Sequence, residues 1–179
     1  MAELCFDRTL FTAYSNARRE FLRLLGCDGS CRDPLAEFAE RLVHRQIGGV
    51  LADSGVQKGY DLVCPSGRRV QVKYLANPAG RWRNEHTITF SSETDDYGLV
   101  FFEGFELSGI LVFPRETLGA ICAALKKKHP NQEHVLQFTQ VNFKRILSSQ
   151  AEFEQLGVKL FVPNENKTDE MPPTDSLNA

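Results

Sequence analysis

The sequence lacks the features that would mark an exported, membrane-inserted or disulfide-stabilised protein. No run of about 18 apolar residues occurs, and the first ten residues contain two acids and no positive, apolar signal region. The five cysteines are an odd number, and only Cys27 and Cys31 lie close together, with neither a second cysteine pair nor a histidine pair at zinc-ligand spacing. We therefore expect a cytoplasmic protein with free thiols and no membrane association.

Net charge is also nearly absent, since the formal charge is −2. The charge is unevenly distributed, however. Residues 41–83 contain eight Lys and Arg against two acids, whereas residues 161–179 contain four acids and one Lys. Because local fields steer ligands more effectively than net charge does, the central segment is compatible with a polyanionic partner.

The composition is ordinary for a globular protein, with 42% hydrophobic and 25% charged residues. We expect one domain over residues 1–162, with a core at residues 35–75 that carries the motifs described below. Residues 163–179 have almost no apolar content and include two adjacent prolines. They are expected to form a disordered acidic tail.

Apolar periodicity predicts a helix over residues 7–25 and a second helix that begins after Asp33 and ends before Gly48. A hairpin over residues 59–74, a short strand at 86–90 and two strands around a turn near 106–109 are expected to follow. The remaining predicted elements are a helix ended by Pro130, a strand at 134–138 and a last helix over 141–156. This order indicates an α+β fold, α/β sandwich-like, with a central mixed β-sheet flanked by helices.

The hairpin GYDLVCPSGRRVQVKY carries polar side chains in strands that are otherwise apolar. Residues two apart in a strand share a face, so Gln71 and Lys73 point away from the core that Val70 and Val72 enter. If residues 65–67 form a three-residue loop, Asp61 lies opposite Gln71, whereas a loop one residue longer shifts this pairing by one.

The resulting cluster of a carboxylate, a carboxamide and an ammonium group is poorly explained by stability alone, because half-buried charges lose solvation. A divalent cation explains it better, since Mg²⁺ favours oxygen ligands and retains waters. Asp61, the Gln71 amide oxygen and the Val72 carbonyl are the candidate ligands. Lys73 is placed to hold or deprotonate a water bound to the metal.

These residues resemble a known family. Asp61, nine intervening residues and then Gln71-Val72-Lys73 are similar to the motif of PD-(D/E)XK nucleases, in the variant where Gln replaces the acid, as in relatives of the Mrr restriction endonucleases. The stretch AEFAERLVHRQIGG also resembles the helix with a glutamate that opens the nuclease core in those relatives. The resemblance spans about residues 35–75, and Tyr60 stands where the family name has Pro.

The resemblance implies a restriction-endonuclease-like core and a further metal ligand on the second helix. Glu40 is the preferred candidate, because it lies just before the apolar Leu42-Val43 pair, in the position that the family's glutamate takes. Glu37 is the alternative, although it could instead pair with Arg41. Because Gln71 removes a negative charge from the site, weaker metal binding is expected, and the number of metal ions stays open.

The basic segment that follows the hairpin is a candidate nucleic-acid contact. Arg81, Arg83 and His86 could contact phosphates or bases, and Lys58 could contact a phosphate. Trp82 has two equally weighted interpretations: a side chain that stacks on or wedges between bases, or an anchor on the protein core.

The sequence therefore predicts a Mg²⁺-dependent endodeoxyribonuclease, with Mn²⁺ able to substitute, that acts on double-stranded DNA in restriction, defence or repair. A chain of this size leaves little room for a separate recognition domain, so double-strand cleavage implies a homodimer or a second subunit. The alternative is a non-catalytic nucleic-acid-binding or partner subunit that retains the nuclease fold. Gln71 favours this alternative, whereas Asp61 and Lys73 favour the enzyme.

Overall fold

A computed structural model describes residues 8–52, 59–80, 82, 86–126 and 135–163. Within these ranges the expected α+β class, with a central mixed sheet flanked by helices, is confirmed. The helices are α1 (Arg8–Leu24), α2 (Pro34–Ile47), α3 (Leu118–Ala124), α4 (Gln140–Ser148) and α5 (Gln150–Glu154). The strands are β1 (Val50–Leu51), β2 (Leu62–Val63), β3 (Arg69–Asn77), β4 (His86–Thr89), β5 (Asp96–Glu103), β6 (Glu106–Pro114), β7 (Val135–Phe138) and β8 (Lys159–Phe161).

The central sheet has the strand order β1-β2-β3-β5-β6-β8. Strands β3 and β5 are parallel, and the other neighbouring pairs are antiparallel. A parallel pair requires a crossover connection, and here the connection contains β4. Strand β4 pairs with β7 in a separate two-stranded sheet. The strand expected at 86–90 is therefore present, but it lies outside the central sheet.

Two hydrophobic cores lie on opposite faces of the central sheet. Along β5, Val100 and Phe102 belong to the core that contains α2, whereas Phe101 belongs to the core that contains α3 and α4. This division follows the alternation of side chains along a strand. At Gly98 of β5, an added Cβ would lie 3.2 Å from Val43 of α2. Helix α2 therefore packs closely against β5, which fixes the helix that carries Glu40.

Residues at or next to its ends determine where α2 begins and ends, as the sequence predicted. The Asp33 side chain accepts a hydrogen bond from Leu35 N at 2.8 Å, and Pro34 occupies the first helical position. Gly48 ends the helix with φ of +71°. Tyr74 of β3 donates a second hydrogen bond to Asp33, at 2.6 Å, and so ties the start of the helix to the sheet.

The turn between β5 and β6 lies earlier than predicted. The sequence places it near residues 106–109, whereas the chain turns at Gly104 and Phe105, both with positive φ. Phe105 is 84% exposed. A bulky residue with positive φ is uncommon, so a turn there is not expected from sequence patterns. The Ser-Gly pair in the predicted turn instead coincides with a β-bulge, because Phe101 pairs with Gly109 and Phe102 with Leu107.

The C-terminal region also differs from the prediction. The single helix expected over 141–156 is two helices, α4 and α5, because the backbone leaves helical geometry at Ser149 with φ of −135°. Strand β8, which the sequence analysis missed, pairs with residues 110–112 of β6. Helix α3 ends at Ala124, and Pro130, which was expected to end it, lies outside the described residues, as do residues 164–179 of the predicted tail.

Candidate active site

The sequence predicts a register of the β2–β3 hairpin that places Asp61 opposite Gln71. Leu62 pairs with Val70, and the loop at residues 65–67 is the three-residue loop on which that prediction depended. The loop length and the pairing of β2 with β3 are therefore confirmed. The paired register ends at Leu62, however, and within the described residues Asp61 N donates to Val70 O at 2.8 Å and not to Gln71.

Asp61 lies where the two strands separate. The paired register of β2 covers only the first two residues of β3, whereas β5 pairs with β3 from Val70 to Asn77. Beyond β2, Asp61 Oδ2 accepts a hydrogen bond from Val72 N at 2.6 Å. Asp61 therefore satisfies a backbone donor on the open edge of β3, which is a structural role in addition to any chemical one.

A cleft of about 530 Å³ runs along this open edge. Its floor is formed by β3, and one wall is formed by α2 and the loop before it. The described residues that line it are Arg32, Ala36, Ala39, Glu40, Asp61, Val72, Lys73, Tyr74, Leu75 and Ala76. The cleft therefore combines two carboxylates with two basic side chains.

Glu40 is the carboxylate that α2 contributes to the cleft. It is only 7% exposed, and Arg32 holds it in a bidentate ion pair, with Nη1 3.0 Å from Oε2 and Nη2 hydrogen-bonded to Oε1. Burial raises the pKa of Glu40, the Arg32 hydrogen bonds oppose this, and the charge of Asp61 raises it further. The two carboxylates of the cleft are thus close enough to influence each other's ionisation.

Asp61 is half-buried, and burial raises the pKa of its carboxyl group. The Val72 hydrogen bond and the positive charges of Lys73 and Arg32 act in the opposite direction. Within the described part of the chain, the hydrogen bond to Asp61 from Val72 reaches Oδ2, and none reaches Oδ1. Oδ1 is therefore free of protein hydrogen bonds within that part and is available to a cation.

Glu37, the alternative ligand, lies outside the residues that line this cleft. It accepts hydrogen bonds from Ser30 at 2.7 Å and from Arg41 at 3.1 Å, and its Oε1 is 3.7 Å from Arg32 Nη1. Burial acts to raise the pKa of Glu37, but these partners lower it below its ordinary value. The structure brings Glu40, and not Glu37, next to Asp61.

The three residues of the Gln71-Val72-Lys73 motif have different environments. Lys73 is exposed and lines the cleft. Val72 packs its side chain in the core beside α2 and presents its N–H to Asp61. Gln71 is half-buried and is not among the described residues that line the cleft. The geometry therefore supports Asp61, Lys73 and Glu40 as a group more strongly than it supports Gln71.

Arg32 is the residue at this site that sequence reasoning missed. Its backbone is fixed by Arg18 of α1, whose Nη2 donates to Arg32 O at 2.6 Å and to Ser30 O at 3.2 Å. Arg32 lies in the loop before α2, eight positions before Glu40, so the pairing of side chains three or four residues apart in one helix does not apply to it. Only the packing of this loop over the cleft brings the two side chains together.

The proposed nucleic-acid contacts are described only in part. Lys58, Arg81 and Arg83 lie outside the described residues, and of His86 the structure describes only the backbone, at the start of β4. Trp82 is 9% exposed and stacks on Phe101 with ring centroids 5.0 Å apart. Because its ring is buried, the structure favours the interpretation of Trp82 as an anchor on the core.

Glu103 holds the indole of Trp82 in place and gives a pH-dependent signal. It accepts hydrogen bonds from Trp82 Nε1 at 2.8 Å and Gly80 N at 2.7 Å, and these lower the pKa of Glu103. The stability that they contribute is therefore complete above the ordinary glutamate pKa and is lost as the pH falls through the lowered one. Since Trp82 is the single tryptophan, its fluorescence reports this titration.

We expect the fluorescence of Trp82 to change at a pH below the ordinary glutamate pKa, and Glu103→Gln to remove this step. Glu106→Gln, at the other end of the same turn, is the matched control and should leave the step in place. A step that persists in the Glu103→Gln protein would contradict the assignment.

A second cavity, of about 430 Å³, lies at the opposite end of β3 and is a weaker candidate. It contains Asp96 and Glu116, but Arg68 pairs with both, at 2.7 Å and 2.9 Å. Each carboxylate there already has a cationic partner that holds neighbouring strands together. The charged residues of this cavity are therefore better explained by a role in stability than by a role in catalysis or metal binding.

The Glu40–Asp61 cleft offers carboxylate oxygens as donors for a divalent cation. Within the described ranges, no three His, Cys, Asp or Glu side chains converge to hold a metal ion. The cleft provides two carboxylates, and Mg²⁺ commonly binds through one or two carboxylates and completes its coordination with waters and substrate phosphates. The donor set therefore fits a hydrated Mg²⁺ rather than a cation enclosed entirely by protein ligands.

The chain matches no protein-family model and no curated protein. The resemblance to PD-(D/E)XK nucleases therefore depends on the motif residues and their arrangement. None of the described helices has both the length and the apolar content required to span a membrane.

Proposed function

We propose that this protein is a divalent-metal-dependent endodeoxyribonuclease with a restriction-endonuclease-like core. The observation that carries the proposal is the convergence of Asp61, Glu40 and Lys73 on one open cleft at the edge of β3. Two carboxylates can hold a Mg²⁺ or Mn²⁺ ion for phosphodiester hydrolysis, and a lysine beside them can assist the attacking water. The proposed substrate is double-stranded DNA, and the proposed location is the cytoplasm.

Each residue has a distinct role in this proposal. Asp61 and Glu40 would hold the cation, which supplies Lewis-acid polarisation of the phosphate and lowers the pKa of a bound water. Lys73 is an exposed residue of β3 that lines the cleft, and it would position the attacking water and offset charge on the phosphate. Gln71 and the Val72 carbonyl are proposed as weaker, supplementary ligands. One such cleft cuts one strand, so a double-strand break would require a homodimer or a second subunit.

The direct test is incubation of the purified protein with supercoiled plasmid and linear genomic DNA, each with Mg²⁺, Mn²⁺ or EDTA. Metal-dependent cutting supports the nuclease, and discrete bands from genomic DNA identify a sequence-specific enzyme. A folded protein that cuts no substrate with either metal would contradict it.

The structure also contains an observation that favours the second candidate, a non-catalytic DNA-binding or partner subunit. Arg32 neutralises Glu40, and Gln71 is uncharged, so Asp61 is left as the one carboxylate of the cleft without an ion-pair partner among the described residues. DNA binding that is unaffected by EDTA, without cleavage, would support this candidate.

The choice between Glu40 and Glu37 gives a matched pair of variants. We expect Glu40→Gln to weaken Mn²⁺ binding by at least about tenfold, since even residues that only orient metal ligands contribute this much. Glu37→Gln should lose clearly less affinity than Glu40→Gln, because Glu37 does not line the cleft and glutamine retains hydrogen bonds to Ser30 and Arg41. Isothermal titration calorimetry with Mn²⁺ measures the affinity of both variants. Equal losses of affinity would contradict the assignment of Glu40.

A further inference from the structure

The ion pair between Arg32 and Glu40 occupies the groups that a cation would need. Both carboxylate oxygens of Glu40 accept from the two Nη atoms of Arg32. A guanidinium that bonds in this bidentate way is fixed in position and orientation. A divalent cation and Arg32 would therefore compete for the same oxygens.

Arg32 also has an alternative partner within reach. Its Nη1 lies 3.7 Å from Glu37 Oε1, and Glu37 is itself held by Ser30 and Arg41. A small side-chain movement would therefore transfer Arg32 from Glu40 to Glu37. The charge of Arg32 would stay paired after this transfer, so the movement does not leave an unpaired cation behind.

We propose that Arg32 is an internal competitor of the divalent cation: it pairs with Glu40 in the metal-free protein and must move towards Glu37 before metal binds. This inference depends on the proposed metal-dependent function, and it assigns Arg32 as a positioning residue that sets metal affinity. The apparent dissociation constant equals the intrinsic one divided by the fraction of protein in which Glu40 is free. A charge-assisted ion pair of this kind reduces that fraction by about tenfold to a hundredfold.

The test is the affinity for Mn²⁺ alone, measured by the electron paramagnetic resonance signal of free Mn²⁺. We expect Arg32→Gln to bind Mn²⁺ about tenfold to a hundredfold more tightly than the wild type. Arg32→Lys retains the charge but cannot form the bidentate pair, so its affinity should lie between the two. Arg45→Gln removes the same charge from the exposed end of α2 and should leave the affinity unchanged.

A double variant separates direct competition from a general effect of charge. If Arg32 acts through Glu40, then Arg32→Gln has no effect on Mn²⁺ affinity when Glu40 is already glutamine. If removal of a positive charge acts at a distance, Arg32→Gln tightens binding equally in both backgrounds, and the proposal is overturned. Circular dichroism establishes that each variant is folded, and Arg32→Lys provides the comparison if Arg32→Gln does not fold.

Failure of this inference can be distinguished from failure of the proposed function. If the wild type cleaves plasmid but Arg32→Gln has an unchanged Mn²⁺ affinity, the competition by Arg32 is overturned and the proposed nuclease function is not. Tighter Mn²⁺ binding in Arg32→Gln without cleavage by any variant supports the competition and overturns the nuclease. Absence of Mn²⁺ binding in both proteins overturns the competition and also contradicts the metal-dependent function.

Discussion

Replacing Lys73 with alanine is expected to reduce metal-dependent DNA cleavage by about 100- to 10,000-fold, the usual contribution of a positioned proton-transfer group. Lys73 is exposed on the edge of β3, and it lines the cleft with Asp61 and Glu40. Its removal therefore eliminates the one described cation of the cleft that is not ion-paired to a carboxylate.

The same substitution should leave the fold intact, because replacing an exposed side chain that makes no hydrogen bond to the described residues usually changes the unfolding free energy by less than about 0.5 kcal/mol. Single-turnover cleavage of a labelled DNA duplex and urea denaturation measure the two effects. Lys159→Ala, on the exposed face of β8, is the matched control and should cleave like the wild type. Normal cleavage by a folded Lys73→Ala protein would overturn the assignment of Lys73.

The largest expected loss of stability follows the replacement of Gly49 by alanine. Gly49 has φ of +109°, and an added Cβ would lie 2.1 Å from the Val63 carbonyl oxygen and 2.7 Å from Cys64 Cα. Both atoms belong to the backbone of the hairpin and cannot move aside as a flexible side chain could. Overpacking costs about 1–3 kcal/mol and backbone strain about 1–3 kcal/mol, so we expect a loss of about 3 kcal/mol or more.

Replacing Gly49 with alanine would also displace the backbone that holds Asp61 in the candidate site. The β1 strand that follows Gly49 pairs with β2, and Ala52 N donates to Asp61 O at 2.9 Å. We expect the melting temperature to fall by roughly 6–12 °C for a domain of this size. Gly119→Ala is the control, since a Cβ at this helical position meets no atom within 4 Å. It should be neutral or gain about 0.5–1 kcal/mol. A melting temperature for Gly49→Ala within 1 °C of wild type would contradict the close approach.

Much of the fold near the site could be predicted, because the residues that determine each element lie within or next to it in the sequence. The bounds of α2 depend on Asp33 and Gly48, which lie next to the helix and act through their own backbone and side-chain geometry. The register of the hairpin depends on the three-residue loop at 65–67. The position of Asp61 beside β3 follows from these two features.

The predictions that failed concern elements whose sequence patterns are weak or misleading. The turn at Gly104 and Phe105 requires an exposed phenylalanine with positive φ, which the rest of the β5–β6 hairpin enforces. Strand β8 is only three residues long and is stabilised by pairing with β6. Neither feature has a local sequence pattern strong enough to identify it.

For this protein, the sequence by itself determined the helix that carries Glu40, the hairpin register and the alternation that exposes Lys73, because each depends on residues a few positions apart. Only the tertiary structure decided that Trp82 is buried, that Glu40 rather than Glu37 reaches the cleft, and that Arg32 pairs with Glu40. The physical reason is that burial and ion pairing depend on which segments pack together. Packing is a property of the whole chain, so the pairing of Glu40 with Arg32 could not be read from neighbours in sequence, whereas the pairing of Glu37 with Arg41, one helical turn away, could.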